Sequence, residues 1–359
     1  MFRKPSSRPV EAATNVSITE TAPCQKSLRL HVGLEMIAPV RATVLAEFQK
    51  EAALPGFRKG KAPTALIERQ FGQRIHDETL HRVTRQALEQ AAKEHQIKPV
   101  GPFELQTADF KEAEGLTLEA TVEVEPSFTL ATYKGIPIQA QTLEVTAADV
   151  EQALAKLQDS MAQLVPGKEG AAKERHVPAL DDECAKDLGF KDVSTLREHV
   201  EAKLREGRRA AQAQAQETAL CDELLKRHTF AVPPRLVSHQ TERLMRDFKT
   251  RLLLSGTLED QVEAELGKFS EQLRTSAERH VKLTFILDRV ASQESVAVTQ
   301  DELVGRLWQL SQRWKKDPTE VRKIFDRDGL WPSVVSTIRQ EKTMTLLMTS
   351  ATVENGGSV

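Results

Sequence analysis

The residues best arranged for chemistry lie in one short segment. Gly56-Phe57-Arg58-Lys59-Gly60-Lys61-Ala62-Pro63 sets an aromatic and three cations around two glycines. Glycines beside a lysine can cradle a nucleotide phosphate. That cradle needs four residues between the glycines, and a Ser or Thr after the lysine to reach magnesium. Here three residues intervene and Ala62 follows Lys61, so an ATP site is not expected. Two readings stay open on the residues alone. One is a helix-to-helix turn with incidental charge. The other is a docking loop. From Pro55 to Arg74 the cations Arg58, Lys59, Lys61, Arg69 and Arg74 are opposed only by Glu68, on a chain of net charge −2. Such a loop, with Phe57 as an apolar wedge, suits a phosphate-rich or acidic partner and salt-dependent, largely sequence-independent binding.

No other constellation points to catalysis. The nine histidines are scattered, with no H-E-x-x-H and no Cys/His ligand spacing. Cys24, Cys184 and Cys221 are odd in number and far apart, without C-x-x-C, which fits a reducing compartment. No G-x-S-x-G occurs. Catalytic residues, metal ligands and cofactors are therefore all expected to be none. The near-neutral balance excludes a globally basic nucleic-acid coat. Met1 to Thr14 lacks the apolar core of a secretory signal, and no apolar run approaches the roughly 20 residues of a membrane span. The expectation is a soluble, cytoplasmic protein with no membrane partner.

The elements that must position the loop follow from periodicity. Alternation in Asn15–Glu20 and again through Leu28, Leu30 and Val32 predicts two strands with a turn near Ala22–Gln25. Pro39 is read near the first turn of a helix carrying Val40, Val44 and Phe48, ending near Ala53. The glycine loop breaks it, and a second helix runs from about Pro63 to His95. Strands are expected around Phe103–Leu105 and Leu116–Val124. An extended connector over 126–145 leads to a helix capped by Thr146, with Asp149 in capping-box position. It carries Val150, Leu154, Leu157, Met161 and Leu164 and stops at Pro166-Gly167. Asp181-Asp182-Glu183 reads as a helix N-terminus.

The rest has a helical pattern. A long helix capped by Ser194 runs to about Arg227, and its 207–219 stretch is rich in Ala and Gln. Side chains so small or polar bury little, so no continuous buried seam is expected there. Pro233-Pro234 opens the next helix. Others are expected at about 258–266, 268–292, 300–313, 318–326 and 332–352. Trp308, Trp314 and Trp331 have two readings, core packing or an apolar surface for clients.

Gly56–Pro63 resembles the ribosome-docking signature of bacterial trigger factor. Asp192–Val200 and Val232–Val237 are similar to the start of that family's long arm helix and of the next helix. The resemblance covers roughly 15–165 and 177–352. It implies an α+β N-terminal ribosome-binding domain followed by an all-α C-terminal chaperone domain with long arm helices. The boundaries read from the sequence are a tail over 1–14, the α+β domain over 15–125, a connector over 126–180, the helical domain over 181–352 and a tail over 353–359. Gly56, Phe57, Arg58, Lys59, Gly60 and Lys61 are the ribosome-binding residues that the resemblance implies. Its implied partners are the ribosome, through a large-subunit protein and rRNA near the tunnel exit, and unfolded nascent polypeptides. A homodimer stays open.

One departure is large. The family carries an FK506-binding-type peptidyl-prolyl isomerase domain between connector and helical domain. Here only Pro166 to Pro178 occupies that place, too few residues for a sheet around a pocket. The expected activity is thus an ATP-independent chaperone that assists folding and export and is not an enzyme. The rivals are a folding isomerase, a non-ribosomal holdase of periplasmic type and a stand-alone RNA-binding module.

Overall fold

A computed structural model describes residues 15–140, 144–165, 174–176 and 179–355. In chain order the elements are β1 (Asn15–Ala22), β2 (Gln25–Val32), α1 (Leu34–Glu51), α2 (Thr64–Glu94), β3 (Glu104–Lys111), β4 (Gly115–Glu123), β5 (Pro137–Ala140), α3 (Ala147–Ser160), β6 (Gln163–Val165), β7 (Glu174–His176), α4 (Asp182–Asp187), α5 (Val193–Arg227), α6 (Pro234–Leu254), α7 (Glu259–Gln293), α8 (Gln300–Trp314), α9 (Pro318–Asp328), α10 (Trp331–Ser350) and β8 (Thr352–Asn355). A small N-terminal sheet with helices, followed by a mainly helical region, is the fold class expected from the sequence. The chain forms two compact units, one within Met1–Thr129 and Thr229–Phe285, the other within Leu130–His228 and Ile286–Val359.

In the first unit the strands pair antiparallel in the order β1-β2-β4-β3. Register places Leu28 opposite Ala120 and Leu30 opposite Leu118. Alternation then sends Leu28, Leu30, Val32, Leu116, Leu118, Ala120 and Val122 to one face, where they are buried against Val83, Ala87, Leu88 and Ala91 of α2 and Ile37 of α1. Gly115 opens β4 at φ +105°, and a Cβ there would lie 2.2 Å from the Val32 carbonyl oxygen, so no other residue fits.

Helix α1 starts at Leu34, five residues before Pro39, so the proline sits in its second turn rather than its first. Its missing N–H leaves the Glu35 carbonyl without an intrahelical donor, and the exposed position lets water serve instead. Gly267 does not divide two helices: α7 is continuous through it. A single glycine costs a helix only about 1 kcal/mol.

The start of α6 is fastened to the end of the sheet. Pro233 offers no capping side chain. The buried Glu123, the last residue of β4, accepts the Arg235 backbone N–H at 2.8 Å in its place. The Arg235 guanidinium lies 2.9 Å from Glu104 of β3. Phe128 stacks on Phe230 with ring centroids 4.2 Å apart, and the Cys24 thiol donates to the Ala231 carbonyl. Burial, then the nearby Glu123 carboxylate, raises the Cys24 thiol pKa above its ordinary value.

In the second unit the Thr146–Asp149 capping box forms as expected. Asp181 caps α4 by accepting the Cys184 N–H, and Asp192 rather than Ser194 caps α5 through the Thr195 N–H. Val150, Leu154, Ala185 and Leu196 form a common core between α3, α4 and α5. Leu164 does not extend α3, which ends at Ser160. It lies in β6, paired with Arg175 of β7 in a two-stranded antiparallel ladder. The rest of the Pro166–Pro178 segment lies outside the described residues, as do 1–14 and 356–359. The chain leaves α10 at Ser350 and pairs Thr352–Asn355 in parallel with β5.

Candidate functional site

The glycine loop joins α1 to α2 as two consecutive tight turns. The Phe57 N–H donates to the Leu54 carbonyl at 3.1 Å, and the Lys61 N–H to the Arg58 carbonyl at 2.9 Å. Gly56 and Gly60 stand third in these turns with φ of +84° and +80°, which a glycine adopts without strain. The loop is anchored at both ends. Leu54 packs beside Val44, Ile67 and Ile75, and Ala62 is fully buried among the same residues. The Gln49 amide in the last turn of α1 donates to the Ala62 carbonyl at 2.7 Å. The residues between these anchors face solvent: Phe57 is 43% exposed, and Arg58, Lys59 and Lys61 are exposed without an ion-pair partner among the described residues. All six sequence-predicted positions, Gly56 to Lys61, are therefore together on one presented surface, with Gly60 the most sheltered of them.

The wider basic segment is less uniform than its composition. Arg74 lies over the rings of Phe48 and Phe71, 5.7 and 6.0 Å from their centroids, so its charge serves packing. Arg69 is exposed. Glu68, the sole acid, pairs with Arg41 of α1 at 3.3 Å. Helix α2 starts without a side-chain cap and without an acid in its first turn, so its positive end adds to the loop's field. Gln49 and Arg41 were missed in the sequence. Only the proximity of α1 to the loop gives them a role, and no local motif marks either.

Apolar surface is the second candidate feature. At the turn joining α6 to α7, Leu253, Leu254 and Leu258 are 43%, 83% and 63% exposed, and Phe269 of α7 packs edge-on against Phe248. No residue of α6 is fully buried along its 21 positions. In the second unit α8 presents Val304 and Trp308, one turn apart and more than half exposed. The two readings of the tryptophans divide among them. Trp314 and Trp331 flank the buried Phe325 at 6.0 and 5.4 Å, with Trp314 still 43% exposed, and the Trp331 indole N–H donates to Asp326 at 2.7 Å. Trp308 remains exposed. Along α5 only Leu196, Leu220 and Leu224 are buried, so the Ala/Gln stretch carries no buried seam, as expected. Its half-buried positions are Arg208, Gln212, Gln216, Glu217 and Ala219.

The carboxylates that hold the second unit are strongly engaged. Bonds from the Thr146 side chain and backbone keep Asp149 below the usual carboxylate range, with Arg208 at 2.7 Å adding to this. Lys134 and Tyr133, each 2.7 Å away, do the same for Glu294, which in turn raises the Tyr133 hydroxyl. Lys342 at 2.8 Å lowers Glu302. Among the described residues no group of three or more His, Cys, Asp and Glu could hold a metal ion, and no helix is long and apolar enough to cross a membrane.

A basic glycine loop on an α+β unit, with exposed apolar surface on long helices, defines the class of fold and surface. The family models narrow this class. The one described as "Bacterial trigger factor protein (TF)" matches residues 14–157, and its C-terminal counterpart matches 192–349. The chain belongs to the bacterial trigger factor family, and thus to a family of chaperones. A trigger factor from Nocardioides sp. is 24% identical, covering 95% of this chain and 90% of that protein. One from Solibacter usitatus is 23% identical, covering 91% and 97%. A solved structure described as "Promiscuous Substrate Recognition in Folding and Assembly Activities of the Trigger Factor Chaperone" matches with TM-score 0.50 at 17% identity, over 94% of this chain and 99% of that one. That likeness speaks for the fold. The two family matches leave 158–191 between them.

Proposed function

We propose that this protein is an ATP-independent chaperone that docks on the ribosome through Gly56–Lys61 and holds nascent polypeptides near the tunnel exit. The observation that carries the reading is the doubly anchored loop: Ala62 is buried and Leu54 half-buried, and Phe57 and three cations with no ion-pair partner among the described residues are presented to solvent. Large-subunit protein and adjacent rRNA are the docking partners, and a cytoplasmic location follows from them. Exposed leucines at the α6–α7 turn and Val304 with Trp308 on α8 supply separated apolar contacts for clients. Many weak contacts let a client leave as it buries its own core. No isomerase step belongs to this reading, because the segment between the family matches is too short for that domain.

The deciding experiment is co-sedimentation with purified ribosomes. Alanine at Phe57, Arg58 and Lys59 together removes association while circular dichroism and Tm stay near wild type, since exposed loop changes move stability by under about 0.5 kcal/mol. Undiminished co-sedimentation overturns the docking assignment. In parallel, a prolyl-peptide isomerisation assay gives only the background rate. A rate that titrates with protein through repurification overturns that part.

A further inference from the structure

We infer that Gln49 is a positioning residue for the docking loop, an inference that rests on the docking function proposed above. A loop with two glycines is entropically costly to order on a partner, and whatever holds it in its bound shape beforehand removes that cost from binding. Three features hold this one. The Ala62 side chain is buried among Val44, Ile67 and Ile75. The backbone at Gly60 lies against the last turn of α1, with its Cβ position 3.8 Å from the Lys50 carbonyl oxygen. The third feature is the only side-chain hydrogen bond to the 52–63 backbone among the described residues, the 2.7 Å bond from Gln49 Nε2 to the Ala62 carbonyl.

That bond closes the ring of chain from α1 through the loop. Gln49 lies in the final turn of α1, half-buried, and Ala62 lies two residues before α2. With it in place the two turns that point Arg58, Lys59 and Lys61 outward are fixed at their C-terminal end by an element of regular structure. Without it the Ala62 carbonyl loses its partner, and the turn bond from the Lys61 N–H to the Arg58 carbonyl is the nearest to fray. Gln49 touches no partner itself. It acts on affinity through loop order, and leaves the number of cations that meet the partner unchanged.

The difference between ordering and charge gives the test. Gln49→Met keeps the length of the side chain and removes the donor. Gln49→Lys keeps a donor that reaches the carbonyl. In the full-length protein, hydrogen exchange is read at the Phe57 and Lys61 amides, and ribosome affinity is read across a salt series. Gln49→Met speeds exchange at Lys61 about tenfold and weakens ribosome binding about five- to tenfold, as expected for one lost hydrogen bond. The slope of log affinity against log salt stays at the wild-type value, because the phosphate-facing charges are intact. Gln49→Lys restores protection at Lys61 and recovers most of the affinity.

Faster exchange with unchanged affinity overturns the inference, because loop order would then not enter binding. Unchanged exchange overturns it too, because Gln49 would not be what holds the loop. A Tm lowered by more than a few degrees in both variants assigns the effect to stability and likewise overturns it. The triple alanine loop variant run beside them separates the two levels. If it binds as wild type, the docking function itself fails; if it does not bind while Gln49→Met does so normally, only the role of Gln49 fails.

Discussion

Two helical hairpins in the same unit are joined by glycine-containing turns that differ in what they present: mainly cations at one, leucines at the other. Between α1 and α2 the loop buries Ala62, half-buries Leu54 and presents three cations around a single exposed aromatic, Phe57. Between α6 and α7 the turn around Gly256 presents Leu253, Leu254 and Leu258, and α6 has no fully buried residue. The first hairpin packs on the sheet through the C-terminal part of α2, Val83 to Ala92, while its loop end closes a separate cluster of Val44, Ala62, Ile67 and Ile75. The second is fastened to the sheet at the start of α6, through Glu123, Arg235 and the Phe128–Phe230 stack. The contrast teaches that the support beneath a turn decides which chemistry it shows. A turn over a core can hide its apolar residues and hold polar ones in a fixed array. A turn away from one leaves its apolar residues in water, where they serve transient apolar contacts.

Reversing the charge of the first turn is expected to have the largest effect. Arg58→Glu, Lys59→Glu and Lys61→Glu together abolish ribosome association and leave suppression of client aggregation untouched. In the wild type, three cations on phosphate give a log–log salt slope of about −2 to −3, or about thirtyfold between 50 and 200 mM. A slope near zero breaks the contrast at its charged end.

The attachment of the second hairpin comes next. Glu123→Ala leaves the start of α6 uncapped and Arg235 with one acidic neighbour fewer. A cost of about 2 kcal/mol is expected, in the range for a lost helix cap or a buried partner. Hydrogen exchange across 233–254 rises while the β2–β4 ladder stays protected. Equal loss in both places means that α6 is held by more than its first turn.

A smaller change follows at the apolar turn. Leu254→Ser with Leu258→Ser lowers suppression of aggregation two- to threefold without nucleotide, while stability moves by under about 0.5 kcal/mol because both side chains are already in water. Full retained activity shifts client binding to α8.

The smallest effect is on pH dependence. Asp149, Asp192, Glu294, Glu302 and Asp317 lie in the second unit, each with a folded-state pKa below its ordinary value, held by hydrogen bonds from Thr146, Thr195, Lys134, Lys342 and Thr319 in turn; in the first unit Glu47 and Glu89 are lowered in the same way by Arg82 and Arg85. The folded state then binds fewer protons, so this stability is complete above the ordinary carboxylate pKa of about 4 and is lost as pH falls through the lowered values. Urea melts followed by segment-resolved exchange should show the second unit weakening first below pH 4. A first unit that weakens earlier contradicts this.

Much of this architecture is legible in the chain, and the reason is local. Period-two alternation in Leu28–Val32 and Leu116–Val122 marked strands because one face is buried, and the Thr146–Asp149 box marked a helix start because its partners are three residues apart. The presented loop was legible because glycines, prolines and cations coincide within nine residues. Errors arose where a local signal was outweighed. Gly267 separates the expected helices 258–266 and 268–292, but the surrounding helix formers override it. Leu164 fits a helical period but pairs with a strand. Ser194 is a good cap residue, yet Asp192, two positions earlier, takes the role.

By itself the sequence determined most of the helices and the four strands of the first sheet, and that the Gly56–Lys61 turn carries net positive charge. The tertiary structure alone decided that Gln49 holds Ala62, that Arg41 takes up Glu68 while Arg74 lies on aromatic rings, that Glu123 caps a helix 112 residues away, and that β8 pairs with β5. Secondary structure and charge depend on neighbours a few positions apart, and any reading of the chain includes them. The hydrogen bonds and ion pairs of the second group join residues from 13 to more than 100 positions apart. Only the packing of a folded core brings such residues within the 3 Å over which those bonds act.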